Sequence, residues 1–396
     1  MRLEASDRGG AGGGAPSRTA ALASLGALLL VLALALALAG IVGRRTFAAL
    51  PPNGGNVWTR HAIDSALEQL PKIARQPGDV AIAVGASQTY YGFYPPAFDE
   101  ALARRSTAIT SYNLAALAWT PFTVRLWTRR IATALEAEGK RARVFFVGVT
   151  PHLLTRTTAR HARWETINLP AQARFAGPSE IALVALRSPD QAARLLTARA
   201  LGLTPSLMRD ASARWLRGEA FPRALPAEWT LPEDFPRWPE ATRGGQPALV
   251  HYASREDRVA LMRRHLNARI RQSGILRLEL DETAIEDVIA TVETAARVAD
   301  HVFVLVTPRN EEIVRTSDAA LARLDRALET IAERTPATVL DYYRHDPRFR
   351  LEDFLDATHL DGVDARARFS RILANDVADA LDLGAPASAL ARTDPR

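Results

Sequence analysis

Three residues near opposite ends of the chain have the side chains that nucleophilic catalysis requires. Ser87 follows the apolar run "DVAIAV" at residues 79–84, and Asp356 and His359 are separated by two residues in "DATHL". A serine hydroxyl is a poor nucleophile until a base removes its proton. That base must itself be oriented by a carboxylate, which also stabilises the imidazolium. Ser87, His359 and Asp356 can fill these three roles if the fold brings the two ends of the chain together.

Each of these residues also has a structural interpretation. Ser87 could be a turn residue at the end of a strand, and His359 could be a buried or helix-capping histidine. Asp356 could cap the last helix. Asn113, in "SYNLAALAWT" at residues 111–120, could hold a turn through its side chain or face a substrate. The residues alone leave both kinds of role open.

The elements that must position these residues form an α/β pattern from about residue 79 onward. Short β-rich runs alternate with longer amphipathic stretches, which predicts a parallel sheet covered by helices. Because ligands bind outside the carboxyl ends of the strands in such sheets, Ser87 stands at the right edge. The predicted strands are 79–84, 107–111, 143–149, 301–306 and 338–342. The predicted helices are 95–104, 121–138, 283–299, 317–333 and 364–381.

The N-terminal region predicts a membrane anchor. Residues 1–19 are rich in Gly, Ser and Arg, which predicts a disordered cytoplasmic tail, and residues 20–43 carry no charge. About 20 apolar residues suffice to span a bilayer as a helix, whereas a cleavable signal peptide has an apolar region of roughly 7–15 residues. An uncleaved anchor at 20–43 is therefore favoured, and cleavage near residues 37–40 is the alternative. Residues 44–78 are predicted to form a linker and a helix.

A long segment, about residues 151–280, separates the third predicted strand from the fourth. Its middle, at residues 218–240, is rich in Pro and Trp and is predicted to be irregular. A loop of that size within a compact domain is usually a functional lid or a linker. Trp215 and Trp229 could stack on sugar rings, or they could pin the Pro-rich stretch to the domain.

The composition argues against several classes of site. The chain has 396 residues, a formal net charge of +6 and no cysteine, so disulfides, thiolate metal sites and cysteine nucleophiles are excluded. The eight histidines show no metal-ligand spacing, and no Gly-rich loop precedes a helix in the way that phosphate binding requires. No block of like charge is long enough to indicate a nucleic-acid surface. We predict no cofactor, no metal and no nucleic-acid partner.

Three blocks of the sequence resemble the SGNH/GDSL hydrolase superfamily. "VGASQT" at residues 84–89 resembles the block that carries the nucleophile, and "DATHL" at 356–360 resembles the block that carries the Asp and the His. "SYNLAALAWT" is similar to the middle block. In it, Asn113 and Thr120 match the pattern, and Ala115 and Ala118 replace its glycines. The resemblance covers about residues 79–120 and 300–381, with the three blocks in the family's order.

The resemblance implies a fold and a triad. The fold would be an SGNH, flavodoxin-like, three-layer α/β/α domain with a parallel five-stranded sheet at residues 79–390, into which 151–280 is inserted. The triad would be Ser87, His359 and Asp356.

The resemblance also implies further site residues. The backbone N–H groups of Ser87 and Ala118 would stabilise the oxyanion, with the side chains of Asn113 and Thr150 as further candidates. Thr150 stands near the position where the family's third block has an Asn. The candidates for substrate contact are Tyr90, Tyr91, Asn310, Trp215 and Trp229.

Within the superfamily, "GASQTYYGFYPPAFDEAL" resembles the membrane-anchored proteins related to the alginate O-acetyltransferases and the teichoic-acid D-alanylation protein. This likeness implies a single-pass protein of the cytoplasmic (inner) membrane with its catalytic domain on the periplasmic side. It would act on acyl esters, with acetyl preferred, of a cell-surface polysaccharide or other acylated glycan, beside a membrane-bound O-acyltransferase. Two alternatives stay open: a simple lipolytic esterase, and a non-catalytic polysaccharide-binding or assembly subunit. The missing Asn of the third block favours the second alternative.

Overall fold

Five parallel strands form the sheet around which the chain folds. The computed structural model describes residues 18–49, 57–117, 119–155, 162–201, 243–244, 256, 260, 276–344 and 346–383. The strands are β1 (Asp79–Val84), β2 (Ile109–Asn113), β3 (Ala142–Val149), β4 (Ala299–Val306) and β5 (Thr338–Asp341). They lie in the order β2-β1-β3-β4-β5, and every pair is parallel. The five predicted strands are confirmed, with ends that differ by at most two residues.

Helices connect the strands in the alternating pattern that the sequence predicts. Those before and around the first two strands are α1 (Arg18–Ala49), α2 (Val57–Arg75), α3 (Ser87–Gly92), α4 (Pro95–Ala103) and α5 (Pro121–Ala137). Those that follow β3 are α6 (Ala162–Phe175), α7 (Pro178–Arg187), α8 (Pro189–Leu201), α9 (Glu282–Val298), α10 (Asp318–Arg334) and α11 (Gly362–Ala380). The five predicted helices are confirmed. The sequence analysis missed α3, whose six residues are too few to show a helical period, and α6 to α8, which lie in the long segment after β3.

Helices cover both faces of the sheet because successive strand residues point to opposite sides. From β1, Val80, Ile82 and Val84 belong to a core that includes side chains of α2, α5, α9 and α10. Ala81 and Ala83 belong to a second core with side chains of α4 and α11. Strands that are buried on both faces read as continuous apolar runs, which is how β1, β3 and β4 appear in the sequence.

The register of the strands brings their carboxyl ends to one edge. Ala83 is level with Asn113 on β2 and with Phe146 on β3. The ladder continues past β1, because the N–H of Ala116 donates to the carbonyl oxygen of Gly85 at 3.1 Å. The residues that follow β1, β2 and β3 therefore emerge side by side.

The two ends of the long segment after β3 also meet near the sheet. Thr155 and Leu280 form an antiparallel bridge, and the N–H of Asp281 donates to the carbonyl oxygen of Leu154 at 2.7 Å. Within the segment, the carbonyl oxygen of Arg243 accepts from the N–H of Asn113 at 3.0 Å. The Pro- and Trp-rich stretch at 218–240 lies outside the described residues.

Helix α1 covers the apolar stretch near the N-terminus. Among the residues that the structure describes with their side chains, no helix is both long and apolar enough to cross a membrane. The anchor at 20–43 stays a prediction. Residues 1–17, most of the predicted tail, lie outside the described residues.

Candidate active site

Helix α3 positions Ser87, its first residue, over the carboxyl end of β1. The side chain of Thr89 packs between two glycines, Gly85 after β1 and Gly148 near the end of β3. A Cβ atom at Gly85 would lie 3.0 Å from the Cβ of Thr89, and one at Gly148 would lie 2.9 Å from it. Only glycine leaves room for this approach, so the two glycines determine how closely Ser87 sits over the sheet edge.

Asn113, the last residue of β2, holds α3 in place. Its side-chain nitrogen lies within hydrogen-bond distance of three carbonyl oxygens, those of Thr89 at 3.2 Å, Tyr90 at 3.2 Å and Phe93 at 2.8 Å. Its side-chain oxygen accepts from the N–H of Ala115 at 3.2 Å. These bonds describe the structural role that the sequence left open. The amide would have to leave these partners before it could donate to an oxyanion.

A turn built by Asp356 presents His359. The Oδ1 atom of Asp356 accepts from the N–H of Thr358 at 2.9 Å and from the N–H of His359 at 3.0 Å. An aspartate that binds the backbone two and three residues ahead folds its own loop. Helix α11 is capped by Asp361, whose carboxylate accepts from the N–H of Gly362. Asp356 is therefore not the cap of the last helix.

The structure brings Ser87, His359 and Asp356 into one hydrogen-bonded chain. The Nε2 atom of His359 lies 2.7 Å from the Oγ of Ser87, and its Nδ1 lies 2.7 Å from an oxygen of Asp356. Because Nδ1 faces a carboxylate, it carries the proton, and Nε2 accepts from the serine hydroxyl. All three side chains are half-buried, so the site is in contact with solvent. This is the arrangement of nucleophile, base and orienting carboxylate.

The surrounding charges keep the carboxylate ionised. Burial alone would raise the pKa of Asp356, but the attraction and hydrogen bond of His359, together with two backbone N–H donors, hold that pKa well below its usual range. Burial, with repulsion from His359, lowers the pKa of the neighbouring His152 to about 4, against the opposing attraction of Asp356. His152 is therefore neutral at physiological pH and adds no charge beside Asp356.

Tyr91 packs against the base. Its ring meets the ring of His359 edge-on, with centroids 5.2 Å apart, and the guanidinium of Arg366 lies 5.7 Å from the centre of the same ring. Burial raises the pKa of Tyr91 to about 12, although Arg366 acts in the opposite direction. The phenol is therefore neutral at physiological pH. Arg366 could not be predicted from the sequence, because an arginine within "DARARF" is typical of a solvated helix face.

The structure places the other predicted residues as follows. Thr150 is buried at the carboxyl end of β3, and Tyr90 is buried in α3. Asn310 has a buried side chain, and its N–H donates to the carbonyl oxygen of Ala357, within the turn of Asp356, at 2.9 Å. The N–H of Ser87 stands at the first position of α3, where a helix offers it no acceptor. The predicted residues that lie outside the described ones are Ala118, Trp215 and Trp229.

The comparisons with known proteins add nothing to this geometry. No protein-family model matches the chain, and no curated protein matches its sequence.

Across the described ranges, no group of three or more His, Asp or Glu side chains could hold a metal ion. The side chains of the site themselves indicate one kind of chemistry. A hydroxyl bonded to an imidazole, which is bonded in turn to a carboxylate, can attack an electrophilic carbonyl carbon.

Proposed function

We propose that this protein is a membrane-anchored, SGNH-like acyltransferase or esterase with Ser87 as its nucleophile. The observation that carries the proposal is the chain of 2.7 Å hydrogen bonds from Ser87 through His359 to Asp356. The strand order β2-β1-β3-β4-β5 supports it, because this is the order of flavodoxin-like sheets, which bind ligands between their first and third strands. Ser87 follows the first of these strands.

In the proposed reaction, His359 takes the proton of Ser87 as the serine oxygen bonds to the acyl carbon. The electron pair of the carbonyl double bond moves to its oxygen, which gives a tetrahedral intermediate. Collapse of this intermediate breaks the bond to the leaving alcohol, whose oxygen takes the proton from His359. The acyl group is now esterified to Ser87. The hydroxyl of the acceptor then attacks the carbonyl carbon of the acyl-serine and gives its proton to His359. The bond between that carbon and the serine oxygen breaks, and the serine oxygen takes the proton back from His359.

The acceptor decides between the two activities. Water as acceptor makes the protein an esterase, and a sugar hydroxyl makes it a transferase. The resemblance of 84–120 to anchored relatives supports acetyl esters of a cell-surface polysaccharide as substrates, the periplasmic face of the inner membrane as location and a membrane-bound O-acyltransferase as partner. Nine large apolar side chains of α1 are at least half exposed: Leu22, Leu25, Leu28, Leu29, Leu30, Val31, Leu32, Leu34 and Leu38. An exposed apolar surface of this kind favours a lipid or protein partner over water.

The test is acyl turnover by the full chain in detergent micelles. We expect p-nitrophenyl acetate to give a burst of nitrophenolate equal to the enzyme concentration, followed by slower turnover that a glycan acceptor accelerates. Ser87→Ala and His359→Gln should abolish the burst while the melting temperature stays near that of the wild type. Equal release by the wild type and Ser87→Ala, both folded, would contradict the proposal and would favour the non-catalytic glycan-binding subunit.

A further inference from the structure

A cavity opens beside Ser87 at the carboxyl ends of β1 and β3. It opens to solvent at its mouth, and its closed part has room for a group only slightly larger than a water molecule. Ala86, the residue before the nucleophile, forms part of its wall, and α9 contributes Val288. Most of the lining is apolar, and half of the lining residues belong to the core between the sheet and α5 and α9.

Two polar side chains that line the cavity have no hydrogen bond to any described residue. Trp119 is 1% exposed and Thr150 is 3% exposed. Neither the indole nitrogen of Trp119 nor the hydroxyl of Thr150 has a hydrogen-bond partner in the part of the chain that the structure describes. The neighbouring Trp127 differs, because its indole N–H donates to the carbonyl oxygen of Leu114 at 2.9 Å. Buried donors are nearly always paired, so two unpaired donors in one cavity indicate a ligand with an acceptor atom.

The cavity lies on one face of the sheet, and the turn that carries His359 packs on the other face. The turn that carries Asp356 and His359 packs through Phe354 and Leu360 into the core shared with α4 and α11. Trp119 and Val288 belong to the core on the other face of the sheet. Ser87 therefore stands between the turn that carries His359 and Ala86, which belongs to the cavity wall. That separation suits a reaction in which the proton leaves on one side and negative charge collects on the other.

We propose that this cavity binds the acyl group of the ester, and that Trp119 and Thr150 donate hydrogen bonds to the acyl oxygen as its charge develops. This inference rests on the proposed function and adds to it a catalytic role for Trp119 and a class of acyl group. The walls are side chains of a close-packed core, which yields little to a larger guest. The acyl group is accordingly short and unbranched, such as acetyl.

The experiment measures how fast p-nitrophenyl acetate acetylates Ser87 in the full chain, by quenched mass spectrometry in a single turnover. Trp119→Phe keeps the ring and removes the N–H, and Thr150→Val keeps the shape and removes the hydroxyl. We expect each to slow acetylation by about 100-fold, the usual effect of losing one oxyanion donor. Thr150→Ser, which restores a hydroxyl, should recover most of the rate.

Two control variants are matched to these. Trp127→Phe removes an indole N–H that is bonded to the backbone. Thr128→Val removes a buried hydroxyl that, like that of Thr150, lacks a partner among the described residues, but Thr128 does not line the cavity. Both controls should acetylate at close to the wild-type rate, even where their melting temperatures fall. If Trp119→Phe does not fold, the acetylation rates of Thr150→Val and its control Thr128→Val are compared instead.

The possible results separate the inference from the proposed function. Acetylation of Ser87 in Trp119→Phe and Thr150→Val at the rate of their controls would overturn the inference and leave Ser87 as the nucleophile. A folded wild type that never acetylates Ser87 would overturn both. A series of p-nitrophenyl acetate, butyrate and octanoate tests the acyl class. In the wild type, the acetate should react fastest. Val288→Ala, which widens the cavity, should shift the preference toward the butyrate. A wild type that prefers the octanoate would refute the assignment of a short acyl group.

Discussion

Replacing Gly148 by alanine should displace Ser87, the proposed nucleophile, without contacting it. The added Cβ would lie 2.9 Å from the Cβ of Thr89, closer still to its hydroxyl, and 3.0 Å from the carbonyl oxygen of Val84. Carbon atoms in contact prefer about 3.5–4.0 Å, so Thr89 must retreat by roughly 0.6–1.1 Å. Thr89 is two residues after Ser87 in α3, and the helix moves with it.

Two magnitudes follow from this displacement. Overpacking of a well-packed site costs typically about 1–3 kcal/mol, so the melting temperature should fall. A misplacement of about 1 Å can reduce catalysis by about 100-fold, because Ser87 moves relative to Nε2 of His359. The loss of activity should therefore exceed what partial unfolding explains.

The assay is the rate of Ser87 acetylation at a temperature where the variant is folded by circular dichroism. Gly92→Ala is the matched control at the other end of α3, since its Cβ would meet Thr307 at 3.4 Å and Phe369 at 3.6 Å, which are ordinary contacts. The control should keep its rate. A folded Gly148→Ala variant that acetylates as fast as Gly92→Ala would refute the account of how α3 is positioned.

Three further predictions concern single side chains. Asp356→Asn keeps the oxygen that folds the turn but loses the charge that fixes the His359 tautomer, so kcat should fall by about 10⁴-fold with little change in melting temperature; a loss below tenfold would contradict the triad. Asn113→Ala removes the side-chain donor shared by three carbonyl oxygens, of which that of Thr89 keeps the N–H of Phe93. Denaturant titration should show a loss of about 2–4 kcal/mol; a loss under 1 kcal/mol would contradict its role as a clamp on α3. The pKa of His152 is about 4 in the folded state, against 6.5 for the free side chain, so the folded protein favours the neutral imidazole. The free energy of unfolding should therefore fall by up to about 3 kcal/mol as the pH falls from about 6.5 to about 4. Urea titrations at pH 7.5 and pH 4.5 should show a smaller loss for His152→Gln than for the wild type, and equal losses would contradict this.

The sequence predicted the sheet well because strands buried on both faces carry an unbroken apolar signal. "VFFVGV" and "VFVLV" have few other interpretations, and the amphipathic helices between them repeat at 3.6 residues. Short elements without a hydrophobic period were not predicted. Helix α3 is held by Asn113 and by the packing of Thr89 on two glycines, and contacts between residues distant in sequence leave no local pattern.

The triad was predictable from residue types and order, because nucleophile, base and carboxylate chemistry limits the choice. Distances were not. Ser87 and His359 are 272 positions apart, and nothing in one sequence shows that they meet. Trp119 lies in the core. No sequence pattern distinguishes Trp119 from Trp127, because the difference lies in the carbonyl oxygen of Leu114 beside the indole of Trp127 and in the lack of an acceptor for Trp119 among the described residues.

The most direct test of the central claim is the site of acetylation itself. The full chain is incubated with p-nitrophenyl acetate, quenched in acid and digested, and the peptide that contains Ser87 is sequenced by mass spectrometry. The hydrogen-bonded triad predicts one acetyl group on Ser87 in the wild type and none on that peptide in His359→Gln or Ser87→Ala. A folded wild type with an unmodified Ser87, or with the same labelling in His359→Gln, would contradict the claim that His359 activates Ser87.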